Sequence, residues 1–108
     1  AGYETTGYIG GCIGNSGGAT YSLTNTAADG FAITATTGAA DVRSGVFTIT
    51  KFSSDNIWVG SGNIARTSSG YGEHTAGAKT LSDSLTKLKI MTTGTNTFDA
   101  GNVNIAWE

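Results

Sequence analysis

The sequence predicts an all-β fold: a two-sheet antiparallel β-sandwich, jelly-roll-like, with a Gly-rich N-terminal arm. Three observations carry this. Seventeen glycines, many threonines and no proline suit short twisted strands and tight turns rather than helices. Apolar residues alternate with polar ones in short runs, the period of a half-buried strand. Turn signals separate those runs, seven or eight in number. At 108 residues there is room for one core, so residues 1–18 read as an arm or weak edge strand and 19–108 as a single sandwich domain.

The opening "AGYETTGYIGGCIGNSGG" has glycine throughout, and its one strand-like stretch is Tyr8 to Ile13. Glycine inside a strand weakens it or marks close backbone approach. "ATYSLT" sets Tyr21 and Leu23 on one face and Thr20, Ser22 and Thr24 on the other. After the Asp29-Gly30 turn signal, "FAITAT" alternates again, and the two runs are expected to form a hairpin. "VFTITKF" turns Phe47 and Ile49 inward and Thr48 and Thr50 outward. "IWVGSGNIA" has apolar residues on both faces around Trp58, as in a central strand or one meeting a neighbouring subunit.

"RTSSGYGEHTAGAKT" is the longest polar, Gly-rich stretch and reads as an exposed, functional loop. "LSDSLTKLKI" reads as a loop or single helical turn near 81–85, then a strand from 86 to 92. Gly94 lies in a turn. In "NVNIAWE", Val103, Ile105 and Trp107 share one face. An exposed strand of that kind invites aggregation, so it is expected inside a sheet and packed on the core.

Charge is sparse, at 13%, with a net charge of −2. No basic patch is available to grip a phosphate backbone, which argues against nucleic-acid binding. No apolar run approaches the roughly 18–20 residues of a membrane helix, so no membrane partner is expected. The single cysteine, Cys12, excludes a disulfide within the chain. With one histidine, His74, a Cys/His zinc site is not expected. Stability then has to come from packing or from partner chains.

No catalytic residue is expected. His74 has Glu73 beside it, but in a polar, Gly-rich stretch it reads as a solvated side chain. Cys12 reads as a small buried side chain between Ile9 and Ile13. The acidic residues are scattered and sit mostly in turn-like positions, and no calcium loop or phosphate loop is present. No metal and no cofactor are expected. The candidate partner-binding residues are Tyr3, Tyr8, Tyr71 and Trp58, whose rings suit a sugar face or a partner's pocket. The alternative is that each ring covers the edge of the chain's own core.

The second half, "GVFTITKFSSDNIWVGSG" and then "GAKTLSDSLTKLKIMTTGTNTFDAGNVNIAWE", resembles the closing segment of many tailed-bacteriophage virion proteins. The matching residues are Trp58, Val59, Gly60, Ser61, Gly62, Leu81, Leu85, Leu88, Ile90, Gly94, Phe98, Ala100 and Gly101. Read as a stand-alone domain, the chain looks like a capsid decoration (cement) protein. That resemblance implies a jelly-roll homotrimer on the exterior of the virion, bound to the major capsid protein and stabilising the head. The other role it implies is a tail- or head-fibre receptor-binding domain that recognises a host surface glycan.

Overall fold

Alternation along the chain becomes five strands, all paired antiparallel in one sheet. The computed structural model describes residues 2–16, 18–24, 29–34, 40–68, 70–92 and 97–108. In chain order the strands are β1 (Ile9–Ser16), β2 (Ala19–Thr24), β3 (Arg43–Lys51), β4 (Ile57–Arg66) and β5 (Tyr71–Thr80). Their order across the sheet is β2-β1-β5-β4-β3. The all-β antiparallel class holds. The described residues form one sheet, not two, and no helix.

Register divides the sheet into a covered and an open face. Cys12 pairs with Thr75, Gly62 with Thr75, and Gly60 with Gly77. These residues, with Glu73 and Lys79, lie on the covered face, and Cys12, Glu73, Thr75 and Lys79 are all buried. Phe47 and Ile49 lie on the same face, half-buried, while Thr48 and Thr50 are exposed, as the alternation of β3 predicts.

The covered face has a floor of glycine with aromatic rings on it. A β-carbon at Gly60 would stand 2.7 Å from Phe47 Cζ and 3.1 Å from Phe31 Cδ1. At Gly77 it would meet the Ile9 carbonyl oxygen at 2.5 Å and Phe31 at 3.2 Å. Glycine is required there because rings from other segments occupy the space that side chains would fill. Phe31 in turn packs edge-on to Tyr8 at 5.2 Å and against Phe47 at 5.9 Å.

Several expectations are corrected. The stretch expected as an exposed loop, 66–80, contains β5, an interior strand held between β1 and β4. Its signal is weak because Gly72, Ala76, Gly77 and Ala78 have little β-propensity of their own; the neighbours on both sides make it a strand. Residues 31–34 are not a strand, and β2 pairs with β1 rather than with them; the remainder of that expected strand, and Gly94, lie outside the described residues. Residues 86–92 form no strand, and 81–85 no helical turn. The run with Val103, Ile105 and Trp107 lies in no sheet and is exposed throughout. Residues 9–16, within the stretch set apart as an arm or edge strand, lie between β2 and β5, which leaves 2–8 outside the sheet apart from a bridge at Tyr8.

Candidate functional site

The open face is built from the alternate residues of the same strands. A row across it runs Ile13, His74, Asn63, Val46 through the register of β1, β5, β4 and β3. All four are exposed. His74 Nδ1 lies 2.6 Å from Asn63 Oδ1, which ties β5 to β4 at the surface. A shallow depression of about 390 Å³ is lined by Gly11, Cys12, Ile13, Ser22, His74, Thr75 and Ala76. It is bordered mainly by small and apolar groups and contains no carboxylate and no pair of groups set for acid–base work. Among the described residues no cluster of three or more His, Cys, Asp or Glu is arranged to hold a metal ion.

The four aromatic candidates are not brought together. Tyr71 and Trp58 lie near opposite ends of the sheet: Tyr71 pairs with Arg66, Trp58 with Lys79. Eight residues of β5 separate these pairs, about 27 Å at strand rise. The Arg66 guanidinium sits 4.2 Å over the Tyr71 ring. Trp58 is half-buried and its Nε1 donates to Asn56 Oδ1 at 3.0 Å. Tyr8 is half-buried against Phe31, and its hydroxyl donates to the Glu4 carbonyl at 3.1 Å. Tyr3 alone of the three tyrosines is exposed, with the Lys87 and Lys89 ammonium groups each 5.8 Å from its ring.

Two charged clusters hold the covered face at its ends. At one end Arg66 lies 3.7 Å from Glu73 and 3.5 Å from Asp41, and Arg43 lies 3.3 Å from Asp41. Glu73 is only 1% exposed, so a nearby cation is what makes its burial tolerable. At the other end Lys79 Nζ lies 2.5 Å from Glu4 Oε2, and both the Ser82 backbone N–H and hydroxyl donate to Glu4 Oε1 at 2.7 Å. The Lys79 hydrogen bond first, then those from Ser82, lower the Glu4 carboxyl from 4.5 to about 2. This bond set straps residues 2–8 to the far end of β5. Sequence reasoning missed both clusters because their members come from distant positions, such as 4 and 79, with no local motif.

The remaining surface feature is the bare apolar run. Leu88, Ile90, Met91, Phe98, Val103, Ile105 and Trp107 are all exposed, Trp107 by 87%. No described strand pairs with any of them. No protein-family model, curated protein or solved structure matches this chain.

Proposed function

We propose that this chain is a structural protein of a tailed-bacteriophage virion, a capsid decoration protein rather than an enzyme. It binds the major capsid protein on the exterior of the head and stabilises it, acting as a homotrimer of jelly-roll-like domains. The observation that carries this reading is the set of exposed apolar residues in 88–92 and 97–108. A chain with so much greasy surface beside one open sheet is suited to an assembly, where that surface is covered. In the trimer, the exposed apolar residues of 88–92 and 97–108 are covered by neighbouring subunits. The resemblance of the second half to closing segments of phage virion proteins points the same way.

The open face is the surface offered to the capsid. Ile13, Val46 and the His74–Asn63 pair make it flat, with little charge, so docking relies on close contact and hydrogen bonds more than on steered charge. Several such weak contacts, one from each subunit, combine into tight attachment. The glycan-binding fibre reading has less support: Trp58 and Tyr71 engage their own neighbours, and neither lines the depression.

The test is co-sedimentation with DNA-filled heads stripped of decoration. The unsubstituted protein should pellet with heads and raise the temperature at which they release DNA. Ile13→Lys, a change at an exposed position, should keep the fold and lose most of the binding. A protein that stays in the supernatant with every head preparation refutes the reading. Removing residues 1–18 is not a usable variant, because β1 sits between β2 and β5 and its loss would split the sheet.

A further inference from the structure

We infer that residues 97–108 of one copy pair with the outer edge of β3 in the next copy, so that each chain completes its neighbour's sheet. This deepens the self-assembly part of the proposed function and does not depend on the capsid part.

The exposed surface is large for a chain of this size. The chain exposes 7759 Å², whereas a compact folded monomer of 10.9 kDa exposes about 5,600 Å². The excess, roughly 2,200 Å² per chain, is on the scale that obligate interfaces bury. The Cα radius of gyration of 14.3 Å likewise exceeds the roughly 13 Å of a compact chain this long. The excess includes the exposed Phe98, Val103, Ile105 and Trp107.

The edge that fits is β3. It pairs with β4 on its inner side and with no described strand on its outer side. It has nine residues, enough to accompany Asn102 to Glu108. An antiparallel pairing that sets Gly45, Phe47 and Ile49 opposite Trp107, Ile105 and Val103 matches the alternation on both sides. Trp107 then lies opposite Gly45, and Ile105 and Val103 extend the layer begun by Phe47 and Ile49. Cross-strand apolar pairs of this kind stabilise a sheet. Asn102 and Asn104 fall on the open side opposite Thr50 and Thr48, and Ala106 falls opposite Val46. Charge agrees with the pairing at one end: β3 ends at the exposed Lys51, and the donated run carries Asp99 near that end.

A second copy is the occupant because one chain contains both the exposed apolar run and a strand edge that no described strand covers. Each subunit gives one and receives one, a head-to-tail contact that closes into a ring when the rotation between copies returns to the start. A foreign partner would cover only one of the two.

Disulfide trapping tests this. In a Cys12→Ala background, Thr48→Cys and Asn104→Cys are made as separate proteins, mixed, refolded together and oxidised. The expected result is a two-chain species on a non-reducing gel, with mass spectrometry linking residues 48 and 104. Light scattering on the unsubstituted protein should give the trimer mass, and Val103→Asp/Ile105→Asp should drop it to the single-chain mass. The inference is overturned if the mixed variants give no two-chain species while a Thr48→Cys/Asn104→Cys double variant closes its disulfide within one chain. It is also overturned if the unsubstituted protein has the single-chain mass, or if residue 104 crosslinks only to capsid protein. A chain that crosslinks to its copies but ignores heads sinks the capsid reading and leaves this one standing.

Discussion

The ring of Phe47 lies over Gly60 so closely that a β-carbon there would stand 2.7 Å from Cζ. The glycine is therefore a receptor for a ring two strands' width of packing depends on, because Phe47 also leans on Phe31, which covers Gly77. Sheet and covering segment meet over bare backbone at Gly60 and Gly77 as well as through the ring contacts of Phe31.

Gly60→Ala should therefore destabilise the fold by about 1–3 kcal/mol, the usual cost of overpacking a filled site. Part of that loss should return when Phe47→Leu is added, because the smaller side chain vacates the space. Urea denaturation of the two single variants and the double variant checks this. Simple additivity of the two losses would show that ring and glycine do not share a site.

Asn56 makes a second sharp case. It has φ 60°, in the left-handed region that Asn and Gly tolerate best. Its Nδ2 donates to the Leu81 carbonyl at 3.1 Å and the Asp83 carbonyl at 2.7 Å, and its Oδ1 accepts from Trp58. The β3–β4 turn thus grips the chain where it leaves β5. Asn56→Gly keeps the backbone and loses the hydrogen bonds, for about 1–3 kcal/mol. Asn56→Ala should cost a further roughly 1 kcal/mol, the strain of a β-carbon at that φ. Equal losses in the two variants, measured by thermal unfolding, would remove backbone strain from the account.

What was legible in the sequence follows from these contacts. The strand around Phe47 is readable because apolar and polar side chains alternate there, and the one around Trp58 because it is apolar on both faces. The burial of Cys12 was readable from its apolar neighbours. β5 was not, because its glycines and alanines serve rings that arrive from elsewhere, and its buried Glu73 and Lys79 look like solvent-facing charges until Arg66 and Glu4 are placed beside them. The run from Asn102 to Glu108 does alternate as a strand should, but alternation identifies a strand without naming the edge it pairs with. The candidate aromatic residues were picked for ring chemistry alone, and the sequence had no means of telling exposed Tyr3 from Tyr8, whose ring is held by Phe31.

The Glu4 strap should open in acid. The carboxyl titrates at about 2 in the fold against an ordinary value of 4.5. A lowered value in the folded state means the ionised form is favoured there, so its contribution is full above about pH 4.5. It shrinks as pH falls from 4.5 toward 2 and is gone below that. Hydrogen exchange at residues 2–8 should accelerate across that window, and Glu4→Gln should abolish the pH dependence. Exchange that is flat between pH 5 and pH 2 in the unsubstituted chain would show that the strap does not depend on this charge.

Arg66 should matter more than a surface cation. Its guanidinium lies between the buried Glu73 and Asp41 and covers the Tyr71 ring. Arg66→Met keeps the apolar stem and removes the charge, leaving two carboxylates near one another without it. Breaking a buried pair from one side costs on the order of 3–5 kcal/mol. Arg66→Lys restores a positive charge but not the planar fork that reaches both carboxylates and stacks on a ring, so it should recover only part of the loss. Chemical denaturation at neutral pH separates the three proteins. If Arg66→Met unfolds within about 0.5 kcal/mol of the unsubstituted chain, the range of an ordinary surface change, Glu73 is held in place by its other neighbours and the cluster is not what closes that end of the sheet.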